Sequence, residues 1–403
     1  MMNWFWRLLR NTLYLLGLLL PGLKLSILVL VGLLKSKIQN PKSKIQNRIS
    51  PILKLSSLGL SVALLVVACS GSTPNSPISD RSTINLNSSN CRIVKHDLGQ
   101  TKICHQPQKI VALGPHILDL LLSLDRQPAG YAEVFPFHGK EYFDNPREQI
   151  PYLGNRVTTQ PMNLGNRGEP SLEALSKLRP DLILGEAGGL EDKYELFSRI
   201  APTLLWEQRT AKGKWQQTIR QLAEAIGREQ KAEQMIETYN QNIAAARTEF
   251  APIVAKYPKL LLLGGNQLSG TLSVVDGSGY LGEILEGVGF QVMSAPAQMD
   301  SEITTSISLE ILPQLGDADT IFILGYNLNV GNRKQKANLE VLNNVIDQQT
   351  ATLQEDWEEN AIAQSLKASQ EGRVFFTTYY LWNGLNGPIG AELILDELRR
   401  LLL

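Results

Sequence analysis

From residue 109 onward, short runs of apolar residues alternate with stretches that have the apolar spacing of helices. The first run, at 109–113, is followed by a Gly-Pro-His turn and an apolar helical stretch at 117–124. Runs of the same kind recur at 181–185, 259–263, 320–324 and 373–377. Short, continuously apolar strands separated by helices are typical of parallel sheets that are buried on both faces. The pattern therefore predicts α/β domains.

One segment of the chain is repeated in altered form. Residues 171–185 and residues 308–325 both begin with Ser-Leu-Glu in a helical pattern. Each then passes through an aspartate into a buried strand that ends in glycine. This repetition predicts two lobes of related architecture.

Between the two copies lies a long helical pattern, residues 214–250, which is interrupted at Gly227. The part after the glycine has about 21 residues and would be roughly 30 Å long, enough to join two lobes as a strut. We expect it to end at the Ala251-Pro252 pair. Such a strut leaves a cleft between the lobes, where small ligands commonly bind. The alternative is a long surface helix within one larger domain.

The N-terminal segment differs in pattern from the rest of the chain. Residues 55–68 form an apolar stretch, too short for a good membrane span, with basic residues before it and small residues after it. Its end, Leu-Val-Val-Ala followed by Cys69, resembles the lipobox of bacterial lipoproteins, which implies acylation of the Cys69 thiol and cleavage just before it. The tether that follows, rich in Ser, Asn and Pro, suits a domain held away from a membrane. An ordinary buried cysteine is the alternative.

The first 47 residues contain a second apolar stretch, at 13–34, and the direct repeat Lys-Ser-Lys-Ile-Gln-Asn at 35–40 and 42–47. Pro21 and Lys24 interrupt the apolar stretch, and the repeat has no apolar face. We interpret 1–47 as an upstream extension or a misassigned start. A genuine additional transmembrane helix is the alternative.

These patterns predict five segments. They are an N-terminal extension with a signal peptide (1–68), a flexible tether (69–90), an N-terminal lobe (91–212), a helical connector (213–251) and a C-terminal lobe (252–403).

Composition restricts the class of protein. With 43% hydrophobic and 19% charged residues, the 403-residue chain is neither disordered nor a polytopic membrane protein. Its 39 basic and 39 acidic residues give no argument for a nucleic-acid partner. The neutrality is uneven, because residues 1–68 carry nine basic residues and no acid. The remaining 30 basic and 39 acidic residues give 69–403 a net charge of −9.

Two cysteines remain after Cys69 is assigned to lipid. Cys91 and Cys104 flank a pattern of two short strands with an Asp-Leu-Gly turn between them. In an exported protein this pair predicts a disulfide. A metal site with His96 and His105 is the alternative, although no ligand spacing of a metal motif supports it.

Motifs of catalysis are missing from the sequence: it contains no GxSxG, no phosphate-binding GxxxxGK[ST] and no HExxH. The loop that contains Asn266 follows a strand but lacks the lysine of a phosphate-binding loop. These absences favour a binding protein over an enzyme. The enzyme alternative is an exported hydrolase with His116 or His138 as base.

Candidate binding residues lie at the predicted ends of strands, where ligands of open α/β sheets gather. Arg167 precedes the first Ser-Leu-Glu helix, and its guanidinium could hold a carboxylate, hydroxamate or catecholate oxygen. The other candidates are His116, Asn266, Tyr326, Tyr379, Tyr380 and Trp382. Three of them stand in one glycine-bounded aromatic loop, 378–384, which we expect to face a ligand.

Residues 91–403 resemble the iron-siderophore substrate-binding proteins of ABC transporters, in the class whose lobes are joined by one long helix. The resemblance is carried by the segments 107–113, 164–173, 179–185, 308–310, 371–375 and 387–398. It implies two Rossmann-like lobes with mainly parallel sheets and a ligand cleft between them. It also implies a monomer that captures a ferric chelate of citrate or hydroxamate type, without a resident cofactor or a directly bound metal.

The resemblance assigns roles to three residues in particular. Arg167 matches the arginine that contacts the siderophore in hydroxamate-binding members. Glu173 and Glu310, one in each lobe, match the glutamates that dock the lobes onto arginines of the membrane permease, which works with its ATPase. Glutamates are also favoured in the first turn of any helix by the helix dipole.

The sequence therefore predicts a periplasmic receptor, lipid-anchored to a membrane, for an iron chelate. A receptor of the same fold for cobalamin or haem is the alternative, and Tyr379 with Tyr380 could also ligate bare Fe³⁺.

Overall fold

The computed structural model of the chain describes residues 91–135, 138–296, 304–326 and 350–403. These residues belong to one compact unit, Ser82–Leu403. The predictions for the N-terminal extension, for Cys69 and its lipid, and for the tether lie outside the described residues. None of the helices in the described ranges combines the length and the apolar character that crossing a bilayer requires.

The described chain begins with a hairpin of the strands Cys91–His96 (β1) and Gly99–Cys104 (β2). The strands are antiparallel, and their register pairs Cys91 with Cys104. The two cysteines form the predicted disulfide, with 4.0 Å between their Cα atoms. The hairpin is fixed to the first lobe because the Thr101 hydroxyl donates a hydrogen bond of 2.7 Å to the Thr203 carbonyl.

The first lobe is built on a six-stranded sheet. Its strands are Ile110–Leu113 (β3), Gly130–Glu133 (β4), Met162–Asn166 (β5), Glu169–Pro170 (β6), Leu182–Glu186 (β7) and Thr203–Trp206 (β8). They lie in the order β6-β5-β4-β3-β7-β8, and all neighbours are parallel except β5 and β6. The helices of this lobe are Pro115–Ser123 (α1), Pro146–Gln149 (α2), Leu172–Leu178 (α3) and Tyr194–Ile200 (α4), with short 3₁₀ turns at Gly154–Arg156 and Glu191–Lys193.

The connector consists of two helices, Lys214–Ile226 (α5) and Glu229–Lys256 (α6). Gly227 ends α5 in the left-handed conformation with φ of 64°, which glycine adopts without strain. The predicted end at Pro252 is wrong, because α6 continues through the proline to Lys256. The proline removes one backbone donor, but packing of the partly buried Ile253 and Val254 against the core supports the last turn.

The second lobe contains a mixed, mainly parallel sheet. Its strands are Lys259–Gly265 (β9), Leu272–Val275 (β10), Gln291–Val292 (β11), Thr304–Ile307 (β12), Thr320–Gly325 (β13) and Val374–Thr378 (β14). The order is β12-β10-β9-β13-β14, and β11 also pairs with β9. β10 is antiparallel to both of its neighbours, whereas β9, β11, β13 and β14 run parallel.

The other elements of the second lobe are mostly helical. They are Tyr280–Val288 (α7), a 3₁₀ segment Leu309–Leu315, residues 350–359 (α8), Ala361–Gln364 (α9), Lys367–Gln370 (α10), a π-helical segment Tyr380–Gly384 and Pro388–Leu402 (α11). The second copy of the internal repeat thus has a 3₁₀ segment where the first copy has α3. Pro313 lies within this segment and lacks the N–H that an α-helical bond to Leu309 would need.

One hydrophobic core runs through both lobes. It is formed by the inward faces of both sheets together with α1, α5, α6, α7 and α11. The last helix, α11, packs against α1 of the first lobe and against α6. Because these contacts hold the lobes together on one side, the carboxyl ends of both sheets face each other across a cleft on the other.

Candidate ligand cleft

The ends of seven parallel strands border a solvent-open cleft of about 440 Å³. The first lobe contributes residues that end or follow β3, β4, β5, β7 and β8, and the second lobe contributes residues after β13 and β14. The lining residues are Pro115, Val134, Phe135, Arg167, Glu186, Arg209, Tyr326, Tyr379, Tyr380 and Gly384. This is the position at which open α/β sheets bind their ligands.

A cluster of three charged residues forms the first-lobe wall, and we call it the arginine–carboxylate cluster: Arg167, Glu186 and Arg209. Glu186 is the last residue of β7, and its side chain is only 9% exposed. One carboxylate oxygen, Oε2, accepts a hydrogen bond from Arg167 Nη1. The other, Oε1, lies 3.1 Å from Arg209 Nε, close enough for an ion pair although not aligned as a hydrogen bond.

The environment keeps Glu186 ionised. Burial by itself would raise the pKa of the Glu186 carboxyl, but Arg209 and Arg167, with a smaller contribution from His116, hold that pKa below its ordinary value. The backbone also leaves room for the ion pair of Arg167 and Glu186. Gly114 follows β3 with φ of 114°, and a Cβ at this position would lie 3.2 Å from Arg167 Cδ.

Tyrosines form the opposite wall. Tyr326, directly after β13, and Tyr379, directly after β14, meet edge to face with 5.4 Å between their ring centroids. Both are partly exposed in the cleft. An aromatic wall facing two guanidinium groups can contact a flat, delocalised ligand on one side and bind its anionic oxygens on the other.

Tyr380, deeper in the cleft, connects the two lobes through Glu133. Its hydroxyl donates to Glu133 Oε2 at 2.8 Å, and the Tyr131 hydroxyl donates to the same oxygen at 2.8 Å. Burial raises the pKa of Glu133 to about 7, although the Val134 N–H and the two hydroxyls stabilise its charge. Burial also raises the pKa of both tyrosines well above the ordinary value, so they remain donors.

Two further hydrogen bonds cross between the lobes at this level. Arg209 Nη2 donates to the Asn383 carbonyl at 2.9 Å, and the hydroxyls of Tyr152 and Thr378 lie 2.7 Å apart. Asn383 belongs to the π-helical segment, a distortion that often marks functional sites. Arg209 therefore contacts the cleft, the buried carboxylate and the second lobe.

Four of the predicted ligand-binding residues line the cleft, namely Arg167, Tyr326, Tyr379 and Tyr380. Trp382 does not: it is fully buried, donates to Glu397 Oε2 at 2.6 Å and packs on Phe322. The aromatic loop was predicted to present all three rings to a ligand, but the π-helical turn directs its indole into the core.

His116 and Asn266 also differ from the prediction. His116 is 1% exposed, and its Nδ1 donates to the Leu385 carbonyl at 2.7 Å. Burial lowers its pKa to about 4, so the ring is neutral near pH 7. His116 lies behind the wall of the cleft, since its neighbour Pro115 is one of the lining residues. Asn266 is exposed beyond the end of β9 and is not part of the lining.

Sequence reasoning missed Arg209 and Glu186. Both follow the rule that identified Arg167, because they stand at or just after the carboxyl ends of β7 and β8. The signal for β8 was weak, since the apolar run of this strand is limited to the three residues 204–206. Without that strand, no pattern in the sequence places Arg209 at a sheet edge.

The two glutamates predicted to dock onto a permease are both exposed. Glu173 lies in the first turn of α3, where the Ser171 hydroxyl caps the helix by accepting from the Ala174 N–H at 3.2 Å. Glu310 lies in the first turn of the 3₁₀ segment, and hydrogen bonding to its own N–H and to Ser308 lowers its pKa. Within the described ranges, no group of three or more His, Cys, Asp or Glu side chains is arranged to hold a metal ion.

Comparisons with known proteins agree with this architecture. The model of the periplasmic binding protein family matches residues 110–381, more than half of the chain. The Fe(3+)-citrate-binding protein YfmC of Bacillus subtilis is 25% identical over 345 residues, which cover 85% of this chain and 94% of that protein. The Fe(3+) dicitrate-binding periplasmic protein FecB of Escherichia coli is 24% identical and covers 75% of this chain and 87% of its own.

A solved structure supports the fold. The crystal structure of Staphylococcus aureus SirA complexed with staphyloferrin B superposes with a TM-score of 0.56 at 23% identity. The match covers 77% of this chain and 98% of SirA. The likeness extends over the whole of the neighbour, so both lobes are shared.

Proposed function

The chain belongs to the periplasmic binding protein family, and we propose that it captures a ferric chelate in the cleft and delivers it to an ABC permease. The observation that carries the proposal is the pairing of Arg167 and Arg209 on one wall with the tyrosines on the other. Anionic oxygens of the chelate would accept from the guanidinium groups, and its organic backbone would pack on Tyr326 and Tyr379.

The relatives support iron chelates as the ligand class. YfmC and FecB bear names that specify Fe(3+)-citrate and Fe(3+) dicitrate binding, and SirA was solved with staphyloferrin B. In this proposal no side chain of the protein has to coordinate the iron, since the chelate supplies the donor atoms. The role is binding without catalysis, in keeping with a family of binding proteins.

Capture requires little rearrangement of the lobes. The continuous core and the bond of Tyr380 to Glu133 hold the two sheets in a fixed relation. A preformed cleft loses less conformational entropy on binding. We expect side chains at the cleft to reorient while the backbone changes little.

The test is a titration of the full chain, purified in detergent, with ferric citrate, a ferric trihydroxamate, a ferric tris-catecholate, cobalamin and haem. Quenching of the intrinsic fluorescence and heat of binding report the affinity. Saturable binding of at least one ferric chelate, with one chelate per chain, is the expected result. If only cobalamin or haem bound, that compound and not a ferric chelate would be the ligand. If none of the five compounds bound, the receptor function would be refuted.

For delivery, we propose that the chain is a monomer anchored on the outer face of a membrane by a lipid on Cys69. Glu173 and Glu310 would contact arginines of the permease, one from each lobe. Their exposure and their first-turn positions support this role, since an exposed carboxylate can steer and orient a partner.

Replacing both glutamates by alanine separates docking from binding. The double variant should bind the chelate with unchanged affinity, while uptake of radiolabelled iron by cells that carry the chain falls at least about tenfold. Glu195→Ala with Glu355→Ala removes two exposed carboxylates elsewhere and serves as the control. Normal uptake by the double docking variant would refute the docking role.

A further inference from the structure

Glu186 stands where a ligand-binding wall would be expected to carry positive charge only. Among the lining residues of the described cleft, Arg167 and Arg209 carry positive charge and Glu186 alone carries negative charge. It contacts both arginines, at Nη1 of Arg167 and, at 3.1 Å, at Nε of Arg209. The carboxylate therefore halves the net charge of the wall, from two positive charges to one.

We propose that Glu186 is a specificity-determining residue that restricts the cleft to chelates of low negative charge. The inference rests on the proposed function and concerns the class of chelate. The ferric complex of three hydroxamates is neutral, because each hydroxamate carries one negative charge, whereas the complex of three catecholates is trianionic. Glu186 disfavours the trianion, since a like charge within the desolvated wall is costly.

The geometry gives Glu186 a second effect on the same ligand. Each guanidinium has five N–H donors in a fixed plane. Within the described residues, one donor of Arg167 bonds to Glu186 and one donor of Arg209 bonds to the Asn383 carbonyl, while Arg209 Nε forms an ion pair with Glu186 at 3.1 Å. The carboxylate thus orients the Arg167 guanidinium by a hydrogen bond and attracts the Arg209 guanidinium by its charge before the ligand arrives. The donors that remain can bind the oxygens of one compact chelate without neutralising the carboxylate.

The carboxylate is built into the fold and is not a surface group. It lies at the end of a fully buried strand, and its side chain is 9% exposed. Gly114 provides the space beside it, because a Cβ there would lie 3.8 Å from Glu186 Oε2 and 3.2 Å from Arg167 Cδ.

The test compares Glu186→Gln with the unmodified full chain in detergent, using a neutral ferric trihydroxamate and a trianionic ferric tris-catecholate. The amide keeps the shape of the side chain and removes its charge. We expect the affinity for the trianion to rise at least about tenfold relative to that for the neutral chelate, and the gain to shrink as salt is added. A purely structural role would change both affinities alike.

Glu207→Gln is the matched control, because Glu207 is an exposed glutamate just after β8. It should leave the ratio of the two affinities unchanged. An unchanged ratio in Glu186→Gln, or an equal change in Glu207→Gln, would overturn the proposal.

A second comparison applies if Glu186→Gln fails to fold because it leaves two arginines facing each other. The single variant Arg167→Gln and the double variant Arg167→Gln/Glu186→Gln differ only in the charge of residue 186. In the double variant no two arginines face each other, and Arg209, the remaining charge, is 23% exposed to water. The double variant should bind the trianion at least about tenfold more tightly than Arg167→Gln. Equal affinity in the two variants would refute the proposal.

The result can also be separated from a failure of the proposed function. If no ferric chelate binds the unmodified chain, iron-free citrate serves as the anionic probe and is titrated calorimetrically against both proteins. A gain of affinity for citrate in Glu186→Gln then supports the role of the carboxylate although the receptor function has failed. If the affinity of Glu186→Gln for citrate did not rise, the role of Glu186 would be refuted together with the receptor function.

Discussion

Arg209 has three roles in the cleft, because it contacts a buried carboxylate, the second lobe and the ligand space. It pairs with Glu186, donates to the Asn383 carbonyl of the second lobe and borders the space for the ligand. Arg167, which the sequence did identify, also pairs with Glu186 and borders the ligand space, but the contact with Asn383 belongs to Arg209. Its local motif revealed Arg167, whereas Arg209 depends on a short strand and on the meeting of the two lobes.

Arg209→Ala should weaken binding of an anionic ferric chelate by about tenfold or more, because a charge-assisted hydrogen bond contributes about 1.5–3 kcal/mol. Calorimetric titration of the full chain measures the loss. Arg199→Ala, which removes an exposed arginine on α4, should leave the affinity unchanged. If Arg209→Ala bound the chelate as tightly as the unmodified chain, Arg209 would not belong to the site.

Glu133 makes the stability of the protein depend on pH. Its pKa is raised from 4.5 to about 7 in the fold, so the folded state binds the proton more tightly than the unfolded chain. The stabilisation from this group is therefore complete below about pH 4.5 and is lost as the pH rises through about 7. From the pKa difference, the loss is on the order of 3 kcal/mol.

Glu133→Gln should remove this contribution. Urea unfolding across this pH range should then show the unmodified chain losing stability relative to Glu133→Gln as the pH rises. Asp119, whose pKa burial also raises to about 7, adds the same trend to both proteins and cancels in the comparison. Glu195→Gln, at an exposed position, should follow the unmodified chain. A difference between the two proteins that stays constant with pH would contradict the prediction.

At the scale of elements, the strands with a continuous apolar run were predictable and those without one were not. The five predicted strands correspond to β3, β7, β9, β13 and β14, with ends that differ by one or two residues. β4 was missed because Gly130–Glu133 contains no apolar run, and only its burial between neighbouring strands makes it a strand. The same holds for the antiparallel strand β10, whose role depends on pairing with β9 and β12.

The joining of α11 to the first lobe could not be predicted from local pattern. Asp119, in the middle of α1, accepts from the Ile389 N–H at 3.1 Å and from the Gly390 N–H at 2.8 Å. It thereby caps a helix that is distant in sequence, because Gly387 has no side chain to do so. Gly387 also leaves space for the carboxyl, since a Cβ at this position would lie 2.5 Å from Asp119 Oδ1.

Asp119→Ala should therefore destabilise the protein by about 2 kcal/mol or more, because it leaves two buried N–H groups without an acceptor. Urea unfolding measures the change. Asp396→Ala removes an exposed carboxylate on α11 and should change stability by less than about 0.5 kcal/mol. Equal stability of the two variants would show that the cap contributes nothing.

At the scale of the whole molecule, charge and architecture act in opposite directions on the ligand. Residues 69–403 carry a net charge of −9, which repels an anionic chelate at long range. The cleft gathers two arginines from separate strand ends and so creates a local positive site in an acidic protein. The two-lobe fold was predictable from the repeat and the connector, but the arrangement of this site depends on how the lobes meet.

In the proposed function, an iron chelate binds between the arginine–carboxylate cluster and the tyrosine wall. The most direct measurement is a crystal structure of the chain grown with a ferric chelate that binds it, with iron located by its anomalous scattering. We expect one iron peak in the cleft, with chelate oxygens in contact with Arg167 and Arg209 and the chelate backbone against Tyr326 and Tyr379. A peak elsewhere on the protein, with the cleft empty at saturating chelate, would contradict it.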